Sequence, residues 1–233
     1  MTHLIVSRAL SESRGKLRED EALTLLRAYG IPVPDFALVK NEEEAVKVAE
    51  AIGFPVVAKV VSPQIVHKTD VGGVIVGIND AQGVREACRR LREVVKRVPY
   101  AELEGVLIQK MVPKGVELIV GAVYDEIFGH VVAFGLGGIY TELYKDISMR
   151  VVPVDVEDVW EMVREVKAYR LLTGFRGMPP RDIPAVVDIV YKFSRLIEDN
   201  PEISEADLNP VIALEEGKGA YVVDARFILR ISY

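Results

Sequence analysis

A lysine inside an apolar run, followed by a glycine-bearing loop, constrains this chain more than any other feature of its sequence. Lys59 lies in the first of two apolar runs within the stretch from Phe54 to Gly77, and His67 and Gly72-Gly73 lie in the polar loop between those runs. Lysine is rarely buried without an anionic partner, and glycine lets a backbone approach phosphate closely. The order strand, lysine, glycine loop, strand therefore predicts a lid over a nucleoside triphosphate, with His67 near the γ-phosphate.

An ordinary β-hairpin with a surface histidine is the alternative interpretation of the same residues. The glycine spacing matches neither the P-loop pattern nor the dinucleotide-binding pattern. The sequence therefore favours a phosphate-binding lid that belongs to neither of these two classes.

Composition limits the class of protein. Half of the 233 residues are hydrophobic and 7% are aromatic, which is typical of a soluble α/β or α+β protein. The net charge of −6 without a basic stripe argues against nucleic acid as the main partner. No apolar run is long enough to span a membrane, the amino terminus lacks a signal-peptide pattern, and the lone Cys88 excludes an internal disulfide. We therefore expect a cytoplasmic protein.

Apolar periodicity and turn residues predict an α+β fold of two α/β subdomains with a nucleotide cleft between them. Residues 1–20 are expected to form a leader and the start of the first helix. Residues 21–110 form the predicted N-terminal subdomain, with the lysine and the glycine loop, and residues 111–233 the C-terminal subdomain. Four residues are predicted to cap helices: Asn41, Asp80, Asp155 and Asp182.

The last two predicted strands form a hairpin that brings polar side chains together. With the turn centred between Glu216 and Gly217, Asn209 faces Asp224 and Asp207 faces Arg226. Directly opposite residues point to the same sheet face, as do alternate residues along a strand. Asp207, Asn209 and Asp224 therefore converge, and such oxygen ligands suit Mg²⁺. A surface ion pair between Asp207 and Arg226 is the alternative.

Three further features have two interpretations each. The glycine-dense segment from Gly135 to Glu142 suits either close approach to a ligand or a turn without one. Arg150 is either a phosphate clamp or a solvated side chain. Glu117, a lone acid within an apolar run, either binds a ribose hydroxyl or faces solvent on an edge strand.

The order of these motifs resembles an ATP-grasp domain. More closely, the chain resembles the β subunits of the archaeal ADP-forming acetyl-CoA synthetases, within the nucleoside-diphosphate-forming acyl-CoA synthetase superfamily. The segment from His67 to Gly73 distinguishes this group from succinyl-CoA synthetase, which lacks the histidine. The resemblance extends from about Leu10 to Arg226 and rests on these elements, in order: Lys59, Gly72-Gly73, Gln109-Lys110-Met111-Val112, Glu117, Asp207-Leu208-Asn209-Pro210 and Val223-Asp224-Ala225.

The resemblance implies a role for each matching residue. Lys59, Gly72 and Gly73 are expected to hold nucleotide phosphates, and Arg150 is grouped with them. The hinge formed by Gln109, Lys110, Met111 and Val112 is expected to contact adenine, and Glu117 the ribose. Asn209 and Asp224 are expected to hold Mg²⁺, Asp207 or Glu205 to steer an incoming phosphohistidine, and His67 to carry the phosphoryl group.

The implied function is that of a nucleotide-binding subunit in an acid–thiol ligase that converts acyl-CoA, ADP and phosphate into acid, CoA and ATP. A partner α subunit is expected to carry the CoA-binding and phosphohistidine domains, in an α2β2 assembly. The alternatives are a self-sufficient ATP-grasp carboxylate ligase and a nucleotide-sensing module without turnover. His67 argues against a sensor, because sensing ATP requires no phosphoryl acceptor.

Overall fold

A computed structural model describes residues 2–65, 67–137 and 146–230. The chain divides into two compact units: Met1–Val33 together with Pro113–Tyr233, and Pro34–Val112. We call them the hairpin unit and the lysine unit, after the features that each contains.

The described residues form helices and antiparallel strands. The helices are α1 (Thr2–Ser11), α2 (Glu19–Ala28), α3 (Glu42–Ile52), α4 (Ala81–Arg97), α5 (Val156–Glu165), α6 (Tyr169–Leu172) and α7 (Ile183–Asp199). The strands are β1 (Phe36–Val39), β2 (Val56–Val61), β3 (Val74–Ile78), β4 (Gly105–Lys110), β5 (Val116–Asp125), β6 (Gly129–Leu136), β7 (Ile147–Val151), β8 (Ile203–Ala213), β9 (Ala220–Val222) and β10 (Ala225–Leu229). No helix among them has both the length and the apolar character that a membrane crossing requires.

The predicted helix caps are confirmed. The side chains of Asn41, Asp80, Asp155 and Asp182 each accept a hydrogen bond from a backbone N–H in the first turn of the helix that follows. A short polar side chain at this position satisfies a donor that the helix itself leaves unpaired. These local interactions are why the starts of the four helices were predictable from sequence.

The lysine unit is a four-stranded sheet covered on one face by α3 and α4. Its strand order is β1-β4-β2-β3, with all neighbours antiparallel. The helices pack on alternate residues of the central strands, such as Ala58, Val60 and Ile108. Lys59 and Gln109 therefore lie on the opposite sheet face, because alternate strand residues point to opposite sides.

The hairpin unit is built on a six-stranded sheet. Its strand order is β10-β8-β5-β6-β7, and β9 pairs with β8. Helices α5 and α7 contact this sheet on one face, where Phe134, Phe193 and Phe227 are fully buried. Asp207 alternates with the buried Ala206 and Leu208 and so lies on the other face.

The amino-terminal part of the chain differs from the expectation. Residues 2–11 form helix α1 rather than a leader, and α1 and α2 belong to the hairpin unit, not to the unit that contains Lys59. Val6 and Ala9 are buried, and the Leu17 N–H donates to the Phe227 carbonyl at 3.1 Å. The short apolar stripe of α1 gains its stability from tertiary contacts, which local sequence does not reveal.

Candidate functional site

Lys59 is buried in the middle of β2, as predicted. Its side chain is 5% exposed, and its backbone pairs with Leu107 of β4 and Val74 of β3. The neighbouring Ala58 and Val60 point into the helix-covered core. The strand thus directs the Lys59 ammonium to the sheet face that the helices leave uncovered.

His67 is exposed and immediately precedes a defined turn. In that turn the Gly73 N–H donates to the Lys68 carbonyl at 2.6 Å, and the Gly72 N–H donates to the Thr69 carbonyl at 3.1 Å. This pair of bonds is the pattern that terminates many helices, with a left-handed residue at the position of Gly72, whose φ is +73°. The turn from Lys68 to Gly73 is therefore held by its own backbone hydrogen bonds.

The two glycines of the turn have different surroundings. A Cβ on Gly73 would lie 2.6 Å from Val60 Cγ1 and 2.9 Å from the Lys68 carbonyl oxygen. Gly73 is thus required by contacts within the lysine unit itself. A Cβ on Gly72 would meet nothing within 4 Å, so the backbone there is open to a ligand.

The predicted hinge is made of residues with distinct surroundings. The Lys110 ammonium donates to the carbonyls of Gly53 and Phe54, at 2.8 and 2.9 Å, and so stabilises the end of α3. Met111 and Val112 are partly exposed just after β4. Gln109 is 2% exposed, and its Nε2 donor has no hydrogen-bond partner within the described ranges. An unpaired buried donor is uncommon, and Gln109 therefore keeps an amide donor available for a further hydrogen bond.

The hairpin register is confirmed. Arg226 pairs with Asp207 across β10 and β8, and the Asn209 N–H donates to the Asp224 carbonyl at 3.2 Å. Glu205, Asp207 and Asn209 alternate with buried residues of β8 and share one face of the sheet. The backbone pairing thus places Asp207, Asn209 and Asp224 beside one another, as the hairpin register predicted.

Asp207 and Glu205 differ in their partners. The Arg226 guanidinium forms its ion pair with Glu205, not with Asp207, so the predicted alternative of an Asp207–Arg226 pair is not formed. The Asp207 Oδ1 is buried and has no hydrogen-bond partner in the part of the chain described. Burial raises the pKa of the Asp207 carboxyl, as do the charges of Asp224 and Glu205, whereas Arg226 opposes the shift.

Asp207, Asn209 and Asp224 form what we call the acidic corner, which suits a hard divalent cation. The described residues hold no cluster of three or more His, Cys, Asp or Glu side chains placed to bind a metal by themselves. The corner instead offers the orphaned Asp207 Oδ1 and the side chains of Asn209 and Asp224, whose Oδ1 accepts the Ala225 N–H at 2.9 Å. Mg²⁺ usually takes a few protein oxygens and completes its shell with water and phosphate, so this donor set fits Mg²⁺ on a nucleotide.

Arg150 forms an ion pair that the sequence did not predict. Its guanidinium donates to both carboxylate oxygens of Glu165, at 2.6 and 3.1 Å. The hydrogen bonds from Arg150 and Ser148 lower the pKa of Glu165 to about 2. Glu165 lies on α5, and nothing in the sequence marks it as the partner of a residue on β7. The arrangement makes Arg150 a link between sheet and helix.

The structure is compatible with both interpretations of Glu117 and with both interpretations of the glycine-dense segment. Glu117 is exposed on β5, where its backbone carbonyl accepts the Gly137 N–H at 2.9 Å. Such a side chain is free to meet either a ligand or solvent. Of the glycine-dense segment, Gly135 and Gly137 lie close to neighbouring backbone, whereas residues 138–142 lie outside the described ranges.

Comparison with known proteins gives concordant results. The ATP-grasp domain model matches residues 8–229. The β subunit of the ADP-forming acetate–CoA ligase I of Pyrococcus furiosus is 49% identical over 226 residues, 97% of this chain and 96% of that protein. The ADP-forming acetate–CoA ligase I of Archaeoglobus fulgidus is 48% identical over 94% of this chain, which spans 32% of that longer protein.

Solved structures agree with the sequence relatives. Acetyl-coenzyme A synthetase 1 of Ca. Korarchaeum cryptofilum, in complex with coenzyme A, Ca-AMPCP and HgCl⁺, has a TM-score of 0.95 and 52% identity, covering 99% of this chain and 100% of that one. A second structure of that protein, with coenzyme A and Mg-AMPPCP, has its phosphohistidine segment pointing towards the nucleotide-binding site; its TM-score is 0.87 at 46% identity, again over 99% and 100%. The chain described here belongs to the ATP-grasp family, in the group formed by the β subunits of ADP-forming acetate–CoA ligases.

Proposed function

We propose that this chain is the nucleotide-binding subunit of an ADP-forming acyl-CoA synthetase, and that it transfers a phosphoryl group between a phosphohistidine of an α subunit and ADP. The observation that carries the proposal is the position of His67. This exposed imidazole immediately precedes the turn formed by Lys68 to Gly73, and the turn is anchored to the strand of the buried Lys59. A nucleophile beside a phosphate-binding loop suits phosphoryl relay.

The proposed reaction proceeds in two displacements. In the direction of ATP formation, an imidazole nitrogen of His67 attacks the phosphorus of the partner's phosphohistidine. A nitrogen–phosphorus bond forms on His67 as the partner's bond breaks and leaves a neutral histidine. A terminal oxygen of ADP then attacks the same phosphorus, the bond to His67 breaks, and ATP leaves. Both displacements depend on in-line positioning and charge neutralisation rather than on acid–base chemistry.

The residues of the lysine unit hold the nucleotide in this proposal. The Lys59 ammonium neutralises phosphate charge, and the open backbone at Gly72 contacts phosphate oxygens. Gln109, Met111 and Val112 contact the base, with the side chain of Lys110 occupied by the end of α3. Glu117 binds the ribose.

Asp207 is the better candidate for steering the phosphohistidine. Its Oδ1 has no hydrogen-bond partner in the described ranges, whereas Glu205 is paired with Arg226. An acceptor oxygen without a donor is suited to the free N–H of an incoming phosphorylated imidazole. Asn209 and Asp224 would hold Mg²⁺, which would supply charge neutralisation to the phosphates.

The partner is proposed to complete the enzyme. The Archaeoglobus relative, of which this chain spans 32%, carries additional sequence in one polypeptide, whereas the Pyrococcus relative is named as a β subunit. We therefore assign the acid and CoA sites to an α subunit, in an α2β2 assembly in the cytoplasm. The α subunit would then select the carboxylic acid.

Phosphorylation of the isolated chain tests the relay. Incubation with Mg²⁺ and γ-labelled ATP is expected to place an acid-labile phosphate on wild-type protein. His67→Ala should remove the label while leaving the melting temperature and ADP affinity nearly unchanged, because the ring is exposed. His130→Gln is the matched control: the His130 Nε2 bonds to the Ile203 carbonyl at 2.7 Å in a structural role, so this variant should still be labelled.

A second substitution separates relay from simple hydrogen bonding. His67→Gln keeps a side-chain donor but cannot form a phosphoramidate. If His67 only hydrogen-bonds the γ-phosphate, His67→Gln should retain much of the turnover measured with the α subunit. Near-normal turnover in both His67 variants would remove the relay from the proposal.

A further inference from the structure

Exposed apolar side chains concentrate on one surface of the hairpin unit. Six of them define what we call the β7 patch: Val123, Ile127, Phe128, Ile147, Met149 and Val151. Met149 is 57% exposed and Phe128 is 63% exposed. Single exposed apolar residues are normal, but a contiguous group of this kind marks an interaction surface.

The strand register shows that the patch is contiguous. Val151 pairs with Val131, which pairs in turn with Val123, so the three form a row across β7, β6 and β5. Met149 and Ile147 lie on the same face two and four residues back along β7. Ile127 and Phe128 lie in the turn that joins β5 to β6, at the ends of the two strands that hold Val123 and Val131.

The strand that carries most of the patch is the edge of its sheet. Among the described strands, β7 pairs with β6 alone. Natural edge strands that face solvent are usually protected by charged side chains, by proline or by a covering element. The exposed face of β7 presents Ile147, Met149 and Val151 instead, which is typical of a strand that another chain covers.

The patch lies on the same sheet face as the acidic corner. Asp207 pairs with Gly121, Gly121 with Ala133, and Ala133 with Met149. This row runs across β8, β5, β6 and β7 with its side chains on one face. A chain bound at Met149 would therefore lie on the face from which Asp207 is reached.

The border of the patch is acidic. Asp125 and Glu126 immediately precede Ile127 in sequence, whereas Glu205, which pairs with Val123 across the strands, is neutralised by Arg226. The backbone N–H groups of Phe128 and Ile127 lower the pKa of Asp125, which keeps this carboxylate charged. The nearby guanidinium groups of Arg150 and Arg226 are already paired with Glu165 and Glu205.

The acidic border determines which kind of partner the β7 patch can bind. In a symmetric dimer the same patch would face itself, and each acidic border would then approach another acidic border. The net charge of −6 adds to that repulsion. A surface with an apolar centre and a basic border is complementary instead.

We propose that the β7 patch binds the α subunit, through an apolar α-subunit surface bordered by lysine and arginine. The inference rests on the proposed function, because it assigns the docking surface of the partner that this function requires. It explains why an edge strand remains apolar on the face that leads to Asp207.

Binding of the α subunit to a charged variant tests the proposal. Met149→Glu should weaken the affinity for the α subunit encoded in the same organism by about tenfold or more, since truncating or charging a central interface residue commonly has that effect. Leu4→Glu, on α1, is the matched control: Leu4 is 68% exposed, and its substitution should change the affinity less than about twofold. Both variants should bind Mg-ADP like wild type. Wild-type affinity should fall as NaCl is raised.

The outcomes separate this inference from the proposed function. Equal α-subunit affinity of Met149→Glu and Leu4→Glu would overturn it. A wild-type dimer in light scattering that Met149→Glu converts to a monomer, with α-subunit affinity unchanged, would assign the patch to a second copy and also overturn it. Failure of wild-type protein to bind Mg-ADP would contradict the proposed function, whatever the patch binds.

Discussion

At the residue scale, Glu205 and Asp207 show how two acids on one strand face acquire different properties. Glu205 is exposed and neutralised by Arg226. Asp207 is more deeply placed, and its pKa is raised chiefly by burial. A buried carboxylate oxygen without a donor is unfavourable for the protein alone, so a cation or a donor from a ligand would stabilise it. The acidic corner is therefore best understood as a site prepared for a bound group.

Substitutions at Asp224 and Asn209 test the metal assignment. Asp224→Ala should reduce the Mg²⁺ dependence of ADP binding, because it removes an anionic oxygen ligand. Asn209→Ala should have a smaller effect, since a neutral ligand is lost and its backbone N–H bond to Asp224 is retained. Isothermal titration with ADP at several Mg²⁺ concentrations measures both. Full Mg²⁺ dependence in the two variants would contradict the assignment.

The ion pair between Arg150 and Glu165 gives a pH-dependent prediction. The pKa of Glu165 is about 2 in the folded protein, against an unperturbed pKa of 4.5. Its contribution to stability is thus fully present above the unfolded-state pKa and is lost as pH falls through the folded-state value. Glu165→Gln should be less stable than wild type at pH 7, and the difference should shrink at pH values below about 4.5.

Urea unfolding at pH 7, 5 and 3.5 measures that difference. Glu126→Gln, an exposed turn substitution, serves as the control and should follow wild type at each pH. If Arg150 bound phosphate instead of stabilising α5 against β7, Glu165→Gln would leave the free energy of unfolding unchanged at pH 7.

At the element scale, the turn from Lys68 to Gly73 is shaped by the lysine unit itself. Gly72 supplies the left-handed residue, and Gly73 supplies space against Val60. The Val60 N–H donates to the Gly73 carbonyl at 2.9 Å, which fixes the turn to β2. The turn that follows His67 is thus fixed relative to the strand of Lys59, and preorganisation of this kind lowers the cost of aligning groups for transfer.

Substitutions at Gly72 and Gly73 should distinguish the need for a left-handed residue from the need for space against Val60. Gly73→Ala places a Cβ 2.6 Å from Val60 Cγ1, so the turn must shift, and we expect both stability and His67 phosphorylation to fall. Gly72→Asn should leave the melting temperature nearly unchanged, because asparagine adopts left-handed conformations more readily than most residues. Gly72→Val should cost about 1–2 kcal/mol. Thermal unfolding and labelling with γ-labelled ATP measure these effects, and equal behaviour of Gly73→Ala and Gly72→Asn would contradict them.

At the scale of the whole molecule, the chain combines two units with separate cores. The lysine unit carries Lys59, His67 and the hinge, whereas the hairpin unit carries the acidic corner and the β7 patch. The family matched over residues 8–229 accounts for both units. Within the described ranges, every residue assigned to a role in transfer thus belongs to the ATP-grasp part.

The isolated chain should therefore bind nucleotide without completing the ligase reaction. At 100 times its dissociation constant, Mg-ADP should add about 2.7 kcal/mol of stability, which calorimetry would detect as a higher melting temperature. Acyl-CoA synthesis from acid, CoA and ATP should appear only on addition of the α subunit. Full turnover by this chain alone would contradict its assignment as a subunit.

The sequence by itself determined the positions of most helices and strands, the four helix caps and the register of the final hairpin. These features depend on apolar periodicity, on short polar caps and on turn length, all of which act between residues close in sequence. Only the tertiary structure decided that Arg226 pairs with Glu205, that Lys110 stabilises the end of α3, and that α1 and α2 join the hairpin unit. Long charged side chains reach several neighbours, and short helices gain stability from what they pack against. Such choices depend on positions that distant segments acquire only in the folded chain.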